Sequence, residues 1–317
     1  MKIGFYIQWP KGSLAAKGNV IGDELHATGM CKALRRLGAE CCELYAPNYL
    51  PQEKLDVMVY LNDTPPKDEW AAKHVLYMQN AFGEGSDKAL VRLREMRFDG
   101  YAFISKKLLS LHRDAGFHGI WLPFGVDTDV FRPAQAGERY SHDVAYIGND
   151  IKGKERTLLY LEPATQFDFA LYGNWYLHWR RKIKFWQVLP YQWKFSHISR
   201  GKIPQEDVPL LYSRSKINLN CTAQDCVDWD VITLRTFEIL ACKGFLITDR
   251  VPAAEIELAG SVVFTDGGKD LREKIRYYLT RPDERKTMAE KGYEYVMKNA
   301  TAISRMEMLL AYLKEIV

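Results

Sequence analysis

No run of about 18 apolar residues occurs anywhere in the 317 residues, so no segment has the composition of a membrane-spanning helix. The opening residues, MKIGFYIQWP, follow a strand pattern and lack the long apolar core of a secretory leader. Cysteine is scarce: Cys31, Cys41, Cys42, Cys221, Cys226 and Cys242 sit inside apolar segments, with no paired spacing of the zinc-binding kind. These absences lead to the expectation of a soluble, cytoplasmic protein with reduced thiols. There is also no Gly-x-Gly-x-x-Gly run, no short internal repeat and no low-complexity segment. Acidic residues are missing altogether between Asn174 and Lys202.

What is present is the make-up of a folded protein. Apolar residues account for 47% and charged residues for 26%, which supports a packed core and excludes a disordered chain. The net charge is +4, and it is concentrated. Seven of the 44 Lys and Arg residues fall in the acid-free stretch, leaving 37 against 40 Asp and Glu elsewhere.

Short apolar runs alternate with helical spacing. KIGFYIQ, ECCELYA, DVMVYLN, HVLYMQN, YAFIS and GIWLPF read as buried strands in the first half. HDVAYIGN, FDFALYG, KINLNC, GFLITDR and SVVFTD do so in the second. Ala27, Met30, Leu34 and Leu37 have the spacing of one helix face, and Gly38 follows as a stop. Asp270 and Glu273 open DLREKIRYYLT in capping-box spacing, and a last helix from about Thr301 carries Ile303, Met306, Leu310 and Leu313. Strand–helix alternation predicts parallel sheets covered by helices. Two such series, separated by a polar linker near 132–141, predict two doubly wound domains facing each other across a cleft. The expected boundaries are 1–133, 134–298, and a C-terminal helix over 299–317 that crosses back to the first domain.

Ligands of open α/β sheets sit at the carboxyl ends of strands, so the loops there are the ones to read. After the first strand, Gly18 and Gly22 allow close backbone approach at a helix start that favours an anion, although a flexible surface loop fits equally. In IGNDIKGKERT, Gly148 and Gly153 flank Lys152, with Lys154 and Arg156 beyond. Such a loop can hold a diphosphate, and a solvated basic turn is the plainer reading. In the stretch from Asn218 to Asp249, Thr233 can cap the helix LRTFEILACKG. Glu238 lies inside it, three residues after Arg235, which is also the spacing of an ordinary helix ion pair.

LRTFEILACKGFLITD resembles the donor-site signature of retaining GT-B glycosyltransferases of the family-4 type, where a glutamate opens an E-A-x-A-C-G helix. GNVIGDELHATGMCKALRRLG resembles their N-terminal glycine loop and first helix. WLPFGVDTDVFRP is similar to their domain junction, P-N-G-V-D-x-x-x-F-x-P. LYSRSKINLN and the tail TAISRMEMLLAYL are most similar to the CgeB-like, spore-maturation group. The resemblance covers nearly the whole chain and implies a GT-B fold with two Rossmann-like domains. It implies that Glu238 binds ribose hydroxyls of a nucleotide sugar (UDP-, GDP- or another), with Thr233 and Arg235 beside it. Asp230 falls where the family places the acid nearest the sugar, eight residues before Glu238. Lys152 or Lys154 would bind the diphosphate, with Arg156 as an alternate and Gly148 in the loop. Gly22 and Gly18 would bring the N-terminal loop to the phosphates or the acceptor. Three departures stand out: Asp at 230 instead of Glu, Gly18 and Gly22 not adjacent, and Lys243 where glycine is frequent.

The implied chemistry needs no cofactor or metal, because Lys and Arg can neutralise the leaving diphosphate in a dry cleft and no Asp-x-Asp loop stands in the family's donor position. The family expectation is same-face attack with retention. An inverting reaction would need a base on the N-terminal side, with Asp23 or His26 as first candidates. A non-hydrolysing nucleotide-sugar epimerase and an inactive binding relative use the same fold. The acceptor is the open question. Residues 174–202 mix four tryptophans with seven cations, a composition that suits nucleic acid, an anionic membrane or a lipid-linked glycan. Arg180, Arg181, Lys182, Trp186 and Trp193 are the acceptor-side candidates there. Phage GT-B enzymes that glucosylate hydroxymethylated DNA bases make DNA one expected partner. The plainer reading puts Trp175 and Trp179 in the core and leaves the cations solvated.

Overall fold

The computed structural model describes residues 1–14, 22–79, 91, 94–134, 137, 139–175 and 189–317. Gly18, Arg180, Arg181, Lys182 and Trp186 lie outside the described residues. The chain divides into two compact units: Met1–Thr128 with Asp225–Leu234 and Lys298–Val317, and Asp129–Gln224 with Arg235–Met297.

The first unit is built on a six-stranded, all-parallel sheet in the order β2-β1-β3-β4-β5-β6. Its strands are β1 (Lys2–Tyr6), β2 (Cys41–Tyr45), β3 (Leu55–Tyr60), β4 (Ala71–Met78), β5 (Gly100–Phe103) and β6 (Ile120–Trp121). Each overlaps one of the apolar runs read from the sequence, as expected for strands buried on both faces, with β3 and β5 starting one residue and β4 three residues before the expected run. One face packs Ile3, Phe5 and Val57 against Ala27, Met30 and Leu34 of the helix Gly22–Arg36 and Met306, Leu309 and Leu313 of the helix Ala302–Ile316. The other face is aromatic, with Tyr6 stacked on Trp70 at 4.9 Å and Tyr60 and Phe103 nearby.

The segment PFGVD receives the last helix. Val126 N–H donates to Ala300 O at 2.9 Å, and Ala302 N–H donates back to Val126 O at 2.8 Å. A Cβ on Gly125 would lie 2.7 Å from Thr301 O, so only glycine fits this approach. Thr301 then caps the helix by accepting from Ser304 N–H at 3.1 Å. The segment Asp225–Leu234 is anchored in the same unit. Ser105 Oγ donates to Trp229 O at 2.7 Å, Lys107 Nζ donates to Asp228 O at 2.9 Å, and Val231 is buried in this unit's core.

The second unit carries a five-stranded parallel sheet in the order β11-β10-β9-β7-β8. Its strands are β7 (Val144–Ile147), β8 (Phe169–Tyr172), β9 (Ile217–Asn220), β10 (Leu246–Asp249) and β11 (Val263–Thr265). Here too every strand coincides with an expected run. The order reverses between β7 and β9, and such a switch point opens a crevice at the carboxyl ends of the two strands.

One local expectation fails. The helix containing Asp270 begins at Gly268, with Gly267 at its cap in a left-handed conformation (φ 81°). Asp270 is therefore inside the first turn. Its carboxylate accepts from Asp266 N–H at 3.0 Å, Thr265 Oγ1 at 2.7 Å and Lys274 Nζ at 2.7 Å, and this takes the place of the Asp270–Glu273 capping box. Among the described residues, no helix is long and apolar enough to cross a membrane.

Candidate active site

The switch point of the second unit gathers most of the residues singled out for donor binding. The chain leaves β7 through Gly148, whose Cβ, if present, would lie 2.5 Å from the Tyr146 hydroxyl oxygen. Gly173, at the end of β8, approaches so closely that a Cβ would sit 2.1 Å from Gly148 O. Trp175 is buried and donates Nε1–H to Gly148 O at 2.7 Å, so this tryptophan is core and not acceptor surface. The loop is tied down further on: Asp150 accepts from Gln192 Nε2 at 2.9 Å and Tyr191 Oη at 3.4 Å. Gly153, at φ 81°, turns the chain into the helix Lys154–Tyr160. Lys152 is half-buried on this loop, while Lys154 is exposed on the first helical turn.

Arg156 points inward. Its Nη2–H donates to Asp249, its Nε–H to Thr222 O at 2.7 Å and its Nη1–H to Gln224 Oε1 at 2.9 Å, with Tyr160 beneath at 4.9 Å. All three nitrogens of the fork are thus committed within the protein. Asp249 is buried at the end of β10, where it also accepts from Thr222 N–H at 3.0 Å and Thr222 Oγ1 at 2.8 Å.

A second guanidinium lies at the carboxyl end of β9. Arg235 Nη1–H donates to Asn220 Oδ1 at 3.2 Å, and its charge rests over the Tyr146 ring at 5.5 Å. Asn220 passes the connection on, its Nδ2–H donating to Thr248 Oγ1 at 3.2 Å. Arg235 and Glu238 belong to the helix Leu234–Ala241, directly preceded by Thr233. Glu238 is half-buried, and no hydrogen bond from a described residue reaches its carboxylate. Burial pushes its pKa up to about 7 from the ordinary 4.5, with the Arg235 charge opposing the rise. A carboxylate desolvated in this way gains by accepting hydroxyl donors from a ligand.

Asp230 falls in the first unit. It is half-buried with φ 58°, a left-handed conformation uncommon outside glycine. The Val231 N–H to Cys226 O bond at 2.8 Å closes the turn around it. Strained backbone of this kind persists where the surroundings over-determine it and clusters at functional sites.

At the carboxyl end of the first sheet, the loop after β1 is held by a residue sequence reading missed. Buried Glu24 accepts from Gly12 N–H at 2.9 Å, Ser13 N–H at 2.8 Å and the Ser13 hydroxyl. Its signal was only an acid in the first turn of a helix, which is common. Gly22 is exposed, and no described residue would stand within 4 Å of a Cβ there. Asp23 accepts from Asn62 Nδ2–H at 3.3 Å. His26 is buried, with Gln79 Nε2 at 3.1 Å from its Nδ1 and Phe124 edge-on at 5.4 Å. Burial lowers its pKa to about 4, against the raising effect of hydrogen bonds with Gln79 and Gly125. Such an imidazole is neutral near pH 7 and a weak base. In the second unit, Trp193 is partly exposed on the helix Pro190–Ile198, its ring 6.1 Å from His197. No cluster of three or more metal-ligating side chains occurs among the described residues.

Comparison with known proteins agrees with this architecture. The family model described as "Glycosyl transferase-like" matches residues 156–311. A segment of 60 residues is 38% identical to the spore protein CgeB of Bacillus subtilis (strain 168), spanning 19% of this chain and only 18% of that protein. Sucrose-phosphate synthase from Thermosynechococcus elongatus superposes with a TM-score of 0.71 at 12% identity, over 99% of this chain and 98% of that one. T4 phage BGT in complex with its UDP-glucose substrate gives 0.66 at 14% identity, over 100% and 99%. Anabaena HepE in complex with UDP-glucose gives 0.63 at 12%, over 99% and 100%. At these identities the superpositions speak for the fold alone, and the family match covers residues 156–311. Two parallel-sheet units and these neighbours give the chain a GT-B fold, and its residues 156–311 match the glycosyl transferase-like family model.

Proposed function

We propose that the chain is a glycosyltransferase that moves a sugar from a nucleoside diphosphate sugar to a hydroxyl acceptor, with retention at the anomeric carbon. The observation that carries the donor assignment is Glu238: a half-buried carboxylate that receives no hydrogen bond from the described residues, on a helix whose start lies at the carboxyl end of β9. Its place in the family's donor signature supports ribose binding, and the UDP-glucose bound by BGT and HepE makes a UDP-sugar the first donor to try.

In the proposed reaction the bond from the anomeric carbon to the diphosphate oxygen breaks, and its electron pair leaves with the nucleoside diphosphate. The Lys152 and Lys154 ammonium groups and the amides of the loop Gly148–Gly153 stabilise that charge, an effect that grows as water is excluded. The acceptor oxygen bonds to the same face of the anomeric carbon, and its proton passes to the departing phosphate. Asp230 is assigned beside the sugar. The low basicity of His26 favours this route over one that uses it as general base.

The test is a panel of labelled nucleotide sugars offered with hydroxymethylated DNA, a lipid extract and no acceptor. Label transferred to an acceptor, with the α or β configuration of the donor kept, supports the reading. A free, altered sugar formed without acceptor points to an epimerase. Inversion in the product overturns retention.

A further inference from the structure

Arg156 belongs to the basic loop, and its sequence position suggests a phosphate ligand. The structure turns it the other way. Each nitrogen of its guanidinium already meets an oxygen: Asp249, Thr222 O at 2.7 Å and Gln224 Oε1 at 2.9 Å. Asp249 is equally occupied, with Thr222 N–H at 3.0 Å, Thr222 Oγ1 at 2.8 Å, Thr248 Oγ1 at 3.2 Å and Arg156 around one carboxylate that no solvent reaches. The two residues are 93 apart in sequence, so the pair joins the helix Lys154–Tyr160 to the ends of β9 and β10. A buried ion pair is costly to desolvate and adds little net stability by itself, yet breaking it strands a charge. Its useful property is geometric, because a planar fork and a saturated carboxylate accept one arrangement.

We propose that Asp249 is a positioning residue for the donor diphosphate: by capturing Arg156 it fixes the loop and helix start that carry Lys152 and Lys154. This rests on the donor-loop reading above. The phosphates are then met by the two lysines and loop amides, and Arg156 does not touch them. Thr222 completes the clamp from β9. Through Thr248 and Asn220 the same network reaches Arg235, so the diphosphate loop and the Glu238 helix are referenced to common strand ends.

The two roles for Arg156 make opposite forecasts for Asp249→Asn. If Arg156 were a phosphate ligand held in reserve, releasing it would leave UDP affinity unchanged or raise it. If Asp249 positions the loop, UDP and UDP-glucose affinity falls at least about tenfold, the usual scale when a supporting contact lets a binding group drift. Uridine, which has no phosphate, should bind wild type and variant alike. Affinities are read by calorimetry on protein whose thermal melt shows a cooperative fold. Thr222→Val is the gentler companion, removing one donor to the carboxylate at constant shape, and it should show the same split between UDP and uridine in smaller measure. The inference is overturned if either folded variant binds UDP as wild type does, or loses UDP and uridine equally. A Lys152→Ala/Lys154→Ala double variant separates this from the parent reading. If that variant binds UDP normally, the donor-loop assignment itself is wrong. If it does not, and Asp249→Asn does bind normally, only the positioning role fails.

Discussion

Arg235 stands one helical turn before Glu238, yet its guanidinium donates to Asn220 Oδ1 at 3.2 Å, and no ion pair joins it to the glutamate. The spacing suits an ordinary surface pair, and the fold uses it differently. Arg235 is drawn onto Tyr146 and Asn220, and Glu238 is left partly desolvated, with no hydrogen bond from the described residues. The charge of Arg235 moderates the cost of that burial without consuming the carboxylate.

Glu238→Ala should therefore weaken nucleoside diphosphate binding by about 1.5–3 kcal/mol, the scale of a hydrogen bond to a charged group. The fold should survive, since no described hydrogen bond is lost. Calorimetry with UDP and GDP checks this, and an unchanged affinity would take Glu238 out of the site.

The raised pKa of Glu238 predicts a pH signature. Between about 4.5 and about 7 the native glutamate holds a proton that the unfolded one has released. Its contribution to stability is full below 4.5, falls as pH rises toward 7 and is flat above that. Nucleotide binding that needs the carboxylate should follow the opposite course, strengthening as pH rises through 7. Chemical denaturation at several pH values, wild type against Glu238→Gln, isolates the contribution. An identical pH slope in both proteins would contradict it.

Lys152→Ala and Lys154→Ala should be unequal. Lys152 is half-buried on the loop and Lys154 is exposed on the first helical turn, so one arrangement of phosphates cannot meet both alike. The stronger variant should reduce kcat/KM for the nucleotide sugar by more than about tenfold while moving Tm little, because an exposed or half-buried lysine contributes little to folding. Steady-state kinetics beside a thermal melt tests this, and wild-type turnover in both variants would refute the loop assignment.

Gly173→Ala should be far more damaging than Gly22→Ala. At Gly173 the backbone has φ 131° and a Cβ would lie 2.1 Å from Gly148 O, whereas at Gly22 no described residue stands within 4 Å of that position. Overpacking against backbone costs typically 1–3 kcal/mol, with left-handed strain added. Urea unfolding of the two variants should separate them clearly.

The eleven strands among the described residues were legible because a parallel strand buried on both faces is a short, dense apolar run, and each run has its strand. Glu238 and the lysine loop, proposed here as the donor site, stand out in the sequence through their motifs. What could not be read is what depends on distant partners. Asp249 looks like the polar end of GFLITD, and its role comes from Thr222, 27 residues earlier, and from Arg156. The inward turn of Arg156 is equally non-local. Glu24 reads as a favourable first-turn acid until Gly12 and Ser13 are seen against it. Asp270 misled because a capping-box spacing says nothing about which backbone N–H the carboxylate will find.

The most direct test of donor-dependent glycosyl transfer is to follow purified protein with UDP-glucose and a panel of other nucleotide sugars by NMR, with and without the acceptor pools. The account predicts release of a nucleoside diphosphate coupled to a new glycosidic linkage of the donor's configuration, and loss of that turnover in Glu238→Ala. Turnover with no requirement for any acceptor hydroxyl, or turnover unchanged in Glu238→Ala, would contradict it.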